Sequence, residues 1–353
     1  MSRVRSRLFN LIAALLYWCG AAKVLHFAAN RYQLHWAPPP GGKRLSIRAR
    51  DSRNLQILIY HRVNDDGDLF FPGMPRRVFE QQMRYLAGRC HVLRLDEAVN
   101  RMRERGLPDN AVAITFDDGY RDNYTHAFPI LKSFNLPATI FLATGALEGG
   151  EVLWHDRVFS AFRNTQVEML PKFGEIPASL PCRSPVERLQ AQGEVLKFLW
   201  RCDADALREW VQTLENLLSV SYRRPANELM LNWEEITTMA EAGIQFGAHT
   251  VSHPILSRLS VERARNEIVG SKLAIEKHLH QEVSAFAYPN GTSADYSQAT
   301  KALAKEAGYL FAVTTEFGAN DSDTDRYELR RATPWGGNLQ AFALRLGLYK
   351  LSS

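Results

Sequence analysis

The stretch ITFDDGY (residues 114–120) closes a β-prone run with two adjacent carboxylates, Asp117 and Asp118, and then a glycine. Like charges side by side repel, and burial makes the repulsion worse. A metal cation is the usual group that offsets such a cost. On a regular strand the two acids would point to opposite faces. Gly119 lets the chain turn at once, so both can reach one pocket mouth. One carboxylate can then bind the metal while the other accepts a proton from the water it holds. That division needs two acids close together and inequivalent. It differs from a glycosidase pair, whose carboxyls flank the scissile bond several ångströms apart.

The segment HTVSH places His249 and His253 four residues apart. If Thr250 begins a helical turn, the two imidazoles share one face. Two neutral imidazoles and one carboxylate make a three-ligand set with open positions for water. Zinc suits nitrogen and oxygen ligands best, although the facial pattern of two histidines and one carboxylate also accepts iron or cobalt. Other polar residues also follow strand-like runs: His61 after LQILIY, and Tyr288, Pro289 and Asn290 after SAFA. In a parallel barrel the C-terminal strand ends gather functional groups from different strands.

The elements that must position them alternate as strand and helix from about residue 55. LQILIY, AVAITF and PATIFLAT read as the first three buried strands, separated by the helical patterns RRVFEQQMRYLAGR and HAFPILKSF. The rhythm then breaks. Residues 148–231 contain no convincing buried strand, and two amphipathic helices there follow plausible caps at Ser184 and Asp203. The alternation resumes through IQFGAH, VSAFAYP and YLFAVTT, with YELRRAT as a last candidate strand. Repeated strand–helix units imply a parallel sheet with helices outside. The expectation is an α/β fold: a distorted (β/α) barrel of about seven parallel strands over residues 51–353, with a helical insertion at about 150–231, after the third strand.

TFDDGY and HTVSH together resemble the first two motifs of the polysaccharide deacetylases, the NodB-homology group or carbohydrate esterase family four. FAYPNG and AVTTEFG resemble later segments of the branch whose first strand reads like YHRV, and the likeness runs from about Leu55 to Trp335. The resemblance implies metal-assisted removal of N-acetyl groups from a sugar. It implies Asp118, His249 and His253 as metal ligands and Asp117 as general base. A backbone N–H near Tyr120 would help to hold the oxyanion. Two departures stand out. The family's third motif often carries an arginine that orients the base, and Ala287 occupies that place. Arg331 is the candidate substitute, with Arg330 its competitor. The family's late histidine, a general acid, has no counterpart, since no histidine follows His280. His61 is the candidate replacement, its ordinary pKa suiting acid–base work near neutrality. Trp154, in VLWHDRV, is placed to stack on a sugar, and Trp335-Gly336-Gly337 to line the groove or to turn the chain.

The remaining features bound the surroundings. With 43 basic against 38 acidic residues, the net charge of +5 is a mild excess, partly carried by Arg3, Arg5 and Arg7. No basic stripe with interleaved aromatics argues for nucleic acid. Cys19, Cys90, Cys182 and Cys202 show no C-x-x-C spacing, and a Cys182–Cys202 disulfide is open. Residues 1–50 form a basic head, an apolar run from Leu11 to Ala22 and the linker APPPGGKR. The run can be a secretory signal, an interfacial helix on anionic lipid or a helix packed on the protein itself. The expected setting is bacterial, membrane-associated or exported. The expected partner is an N-acetylated glycan, with membrane contact through residues 1–30. Competing functions are an amidohydrolase on a non-sugar amide and a catalytically silent glycan-binding or assembly protein of the same fold.

Overall fold

A computed structural model describes residues 53–149, 151–221, 226–334 and 338–349. The readings made for residues 1–50 and for Trp335-Gly336-Gly337 lie outside them.

The strands are short and buried on both faces, as parallel strands covered by helices must be. β1 (Gln56–Tyr60), β3 (Ala111–Phe116) and β4 (Thr139–Leu142) are buried throughout. With β7 (Gln245–Ala248), β8 (Ala285–Ala287) and β9 (Phe311–Val313) they form a parallel sheet in the order β1-β3-β4-β7-β8-β9. A two-residue strand, β2 (His91–Val92), pairs with the start of β3 and brings the sheet to seven strands. It is too short to show a period in the sequence. The insertion follows β4, the run PATIFLAT that the sequence marks as its start; with β2 counted, β4 is the fourth strand among the described residues.

YELRRAT is not a regular strand. It joins the sheet through single bridges, Val313 with Leu329 on one side and Leu58 with Ala332 on the other. The Thr314 N–H donates to the Leu329 carbonyl at 2.8 Å, and the Ala332 N–H donates to that of Ile57 at 2.8 Å. This segment thus links the last strand to the first and curls the sheet toward a barrel.

Alternation along the strands sorts side chains into two layers. Ile57, Ala111, Ala113, Phe141, Ala285, Ala287, Phe311, Val313 and Leu329 pack in one cluster, inside the curl. Leu58, Tyr60, Val112, Ile114, Phe116, Ile140, Leu142, Phe246 and Phe286 pack in the other, beneath the helices. Four alanines, Ala111, Ala113, Ala285 and Ala287, pack in this inner layer with Phe141.

The insertion has a core of its own. It contains α4 (Trp154–Asn164), α5 (Pro185–Leu199), α6 (Ala204–Leu217) and a small hairpin, β5 (Met169–Leu170) with β6 (Leu180–Pro181). Among the described residues, three α-helices precede it: α1 (Arg76–Arg89), α2 (Leu95–Arg103) and α3 (Phe128–Ser133). Ser184 begins α5 with a capping box to Glu187, and Asp203 accepts from the first-turn amides of α6. Phe162, Phe173, Val195, Leu199, Val211 and Leu214 make a cluster separate from the barrel. Cys90, Cys182 and Cys202 are free thiols, so the Cys182–Cys202 disulfide does not form.

Gly247 leads β7 toward His249. A Cβ there would lie 2.6 Å from the Phe141 ring and 3.0 Å from the Ala285 carbonyl oxygen. Phe141 is fully buried and has nowhere to move. Gly247→Ala is expected to cost about 1–3 kcal/mol by overpacking, read as a lowered urea midpoint. An unchanged midpoint would show that the barrel interior can yield.

Candidate active site

Strand parity carries the inward positions beyond the strand ends. In β3 the inner residues Ala111 and Ala113 are followed in register by Thr115 and Asp117. In β7, Gly247 is followed by His249; in β1, Ile57 and Ile59 by His61; and Leu329 by Arg331. Asp118 has the opposite parity. It enters the pocket because the chain turns there, with φ of 74° at Asp118 and 85° at Gly119.

These side chains meet. The cavity at the C-terminal strand ends, about 150 Å³, is lined among others by His61, Asp117, Asp118, His249 and His253. Arg331 is buried below it and forks onto Asp117, Nη1 donating to Oδ1 and Nη2 to Oδ2, each at 2.7 Å. Its Nε donates to the Thr314 carbonyl at 2.7 Å, and Nη1 also reaches Thr115 Oγ1 at 3.2 Å. Arg330 has the other parity and packs beside Gly318. Burial alone would raise the Asp117 carboxyl. Arg331, with His249 and His61 behind it, outweighs that and holds Asp117 below the usual carboxylate range.

Asp118 is treated differently. Its Oδ1 is buried and has no hydrogen bond, yet it lies 3.5 Å from His249 Nε2 and 3.4 Å from His253 Nε2. Burial, then the charges of Asp117 and Asp156, push its carboxyl well above the ordinary value. The His249 Nδ1–H donates to the Ala287 carbonyl at 2.8 Å, which leaves the Nε2 lone pair facing Asp118. Burial lowers the pKa of both imidazoles. Two neutral imidazole nitrogens around an orphaned carboxylate oxygen are a donor set that fits a divalent cation, and all three ligand atoms lie within 4.8 Å of one another.

The histidine loop is not the helical turn expected. Thr250 and His253 have φ of 66° and 56°, outside the helical region. The Thr250 hydroxyl donates to the His249 carbonyl and accepts from the His253 N–H. Two hydrogen bonds and two left-handed residues, not helical periodicity, aim both rings inward.

Of the expected substrate contacts, Trp154 and Asn290 line the cavity. The Trp154 indole N–H donates to the His253 carbonyl at 3.2 Å. Tyr288 does not line it. It shares the outward parity of Phe286 and stacks on Tyr296 at 4.4 Å within the outer core. Pro289 is buried and only directs the chain to Asn290. Tyr120 is fully buried behind the cavity, and its side chain contacts no open space.

The sequence reading missed the wall behind His253. His155, on the first turn of α4, lines the cavity and packs edge-on to His253 at 4.8 Å. The Tyr120 hydroxyl lies 3.1 Å from both Asp156 carboxylate oxygens and 3.1 Å from His155 Nε2. A hydroxyl has one proton. If it goes to Asp156, then His155 donates through Nε2. Phe71, Phe159, Leu196 and Trp200 complete the wall. The adjacent pair His155-Asp156 was the signal available in the sequence, but nothing local shows that it faces the histidine loop.

Burial pushes Asp156 up to about 7. Its folded-state pKa thus exceeds the ordinary carboxylate value, so folding takes up a proton between the two. Stability is full at low pH and is lost as pH rises through about 7. Asp156→Asn cannot ionise and removes that loss. Its Tm relative to the parent should be higher at about pH 8 than at about pH 5. A pH-independent difference would mean that Asp156 folds already ionised.

The sequence profile of the family described as polysaccharide deacetylase matches residues 104–178 and 206–312, just over half of the chain. YxkH of Bacillus subtilis (strain 168), which is assigned by name to the same family, is 24% identical over 287 residues. That match covers 81% of this chain and 73% of YxkH. The poly-beta-1,6-N-acetyl-D-glucosamine N-deacetylase of Staphylococcus epidermidis is 27% identical over 177 residues, or 48% of this chain and 58% of that protein. Among solved structures, Streptococcus pyogenes deacetylase PplD in complex with acetate superposes with a TM-score of 0.56 at 21% identity, covering 83% of this chain and 97% of that one. IcaB from Ammonifex degensii superposes at 0.53 with 19% identity, covering 85% and 97%. At these identities the solved structures speak for the fold. The profile is more specific, because its two matched blocks contain the paired acids and the paired histidines that the barrel brings together. The chain belongs to the polysaccharide deacetylase family, enzymes that hydrolyse the N-acetyl amide bonds of polysaccharides and in general use a divalent metal.

Proposed function

We propose that this protein removes N-acetyl groups from an N-acetylhexosamine polymer. The substrate class we favour is the β-1,6-linked N-acetylglucosamine polymer named for its staphylococcal relative. The observation that carries the reading is the unlike treatment of two adjacent buried acids. Asp117 is held ionised by a bidentate arginine, and Asp118 keeps one oxygen, Oδ1, without a hydrogen bond beside two imidazole nitrogens.

In this reading Asp118, His249 and His253 hold the ion, and zinc is the ion that suits the set best. When bound, it would polarise the acetamide carbonyl and acidify water. Asp117 takes the proton from the attacking water, and Arg331 fixes the plane of its carboxylate. His249 keeps its Nε2 toward the ion because its other nitrogen is committed to Ala287. The Tyr120 N–H, which donates to no backbone carbonyl among the described residues, is the group we assign to the developing oxyanion. His61 keeps some exposure at the cavity, but burial pulls it down to about 4, so it starts neutral near pH 7. It then relays to the leaving amine the proton that Asp117 has gained. Trp154 and Asn290 contact the sugar. We place the protein in a bacterium, exported or at a membrane surface, on the strength of the basic and apolar residues 1–30. No helix among the described residues is long and apolar enough to cross a membrane.

The test is acetate release from β-1,6- and β-1,4-linked N-acetylglucosamine oligomers with defined metals. A metal-loaded wild type inert on all of them would leave a silent glycan-binding protein or a different amide as the better reading. Asp118→Ala should lose both the ion and turnover. His61→Ala should keep the ion at full stoichiometry and lose roughly 100-fold or more in kcat. Near-normal kcat in that variant removes His61 from the mechanism.

Removing the guanidinium takes away the main group that offsets burial at Asp117, and burial favours the protonated form. Arg331→Met should therefore move the acid limb of the kcat/KM profile to higher pH. Arg331→Lys keeps the charge without the fork and should fall between. An unmoved limb in both variants would show that another group sets it.

A further inference from the structure

The helical insertion does more than cover the barrel. We infer that Trp200, at the C-terminal end of α5, is a stacking platform for a hexosamine ring next to the one being deacetylated. The inference rests on the glycan reading above and assigns the insertion a part in polymer recognition.

Three observations converge on this residue. The first is its position. Trp200 lines the same cavity as Asp117, Asp118, His249 and His253, together with Leu196 one turn earlier on α5. The second is exposure. The residues just before it, Phe198 and Leu199, are buried in the core of the insertion, whereas Trp200 is 44% exposed. Among the described large apolar residues that face solvent, it alone is in the cavity wall. The third is the lack of a partner. Trp154 donates its indole N–H to His253, Trp210 packs against Phe173 and Phe198, and Trp233 stacks on His278 at 3.9 Å. Among the described residues, the Trp200 ring stacks on no aromatic group and its indole N–H makes no hydrogen bond.

An indole that presents its face to water beside a catalytic cavity offers apolar area with a polar edge. The C–H face of a pyranose ring is the matching surface, and its hydroxyls remain solvated. Size points the same way. A cavity of about 150 Å³ holds roughly five waters' worth of volume, enough for an acetamido group and part of its sugar. The neighbouring rings of a polymer must lie outside, at the mouth where Trp200 stands. Its backbone is fixed there, since its N–H donates to the Leu196 carbonyl at 2.9 Å and its φ is helical.

The experiment compares wild type, Trp200→Ala and Trp200→Phe on a β-1,6-linked N-acetylglucosamine pentamer. Loss of one stacking contact should raise KM about 3- to 10-fold in Trp200→Ala, with kcat falling less than about twofold. Trp200→Phe should recover most of the loss. In parallel, the pentamer should shield wild-type tryptophan fluorescence from acrylamide, and that shielding should be smaller in Trp200→Phe, where Trp154 alone remains at the cavity; this variant stays readable if the alanine variant does not fold. An equal KM in all three proteins, or equal shielding in wild type and Trp200→Phe, overturns the assignment. If the wild type releases no acetate with any metal but the pentamer still shields Trp200, the deacetylase reading fails and the platform stands.

Discussion

Everything at the mouth of this barrel depends on the fork between Arg331 and Asp117. Two carboxylates on adjacent residues, both buried, cannot share one environment without one of them being protonated. The guanidinium resolves the conflict by committing both oxygens of Asp117. Asp118 receives no such partner and turns instead toward two imidazoles. The same sequence step, Asp-Asp-Gly, thus yields two groups of opposite character, one held ionised by a cation of the protein and one suited to a cation from outside.

The fork in turn depends on the barrel's small interior. Arg331 reaches Asp117 across the curl, anchored to the Thr314 carbonyl and the Thr115 hydroxyl. Its guanidinium lies over the ring of Phe141, 5.7 Å from the centroid, in an inner layer that also holds Ala113 and Ala287. Ala287 stands where the family pattern often has an arginine. Here its side chain packs in the inner cluster, and its carbonyl orients His249. The arginine arrives instead from the segment that bridges β9 to β1. Charge of the same sign comes to the same carboxylate from a different point on the ring.

The insertion adds a second layer of control. It folds around its own cluster of aromatic and aliphatic residues, so its helices can present side chains outward without weakening the barrel. Its first helix supplies Trp154 and His155 to the wall behind the histidine loop, and its second supplies Leu196 and Trp200. Beneath this wall Tyr120 ties Asp156 to His155. The metal-ligand region and the insertion are therefore joined by hydrogen bonds and not by apolar contact alone.

Local sequence was enough for the strand–helix alternation, the caps at Ser184 and Asp203, and the candidate pairs Asp117-Asp118 and His249/His253. Apolar runs, cap chemistry and an Asp-Asp-Gly step are local and need no partner to be read. Strand parity was also legible: it sends His61, Asp117, His249 and Arg331 inward and Tyr288 outward with Phe286, although Tyr288 was first assigned to substrate. Only the tertiary structure decided three things. β2 is a strand because two residues find the edge of β3, and two residues have no period. YELRRAT is a link of single bridges because it must satisfy β9 and β1 at once. His155, Leu196 and Trp200 belong to the site because a separately folded insertion docks over it, and the packing of one hydrophobic core against the mouth of another leaves no mark in local sequence.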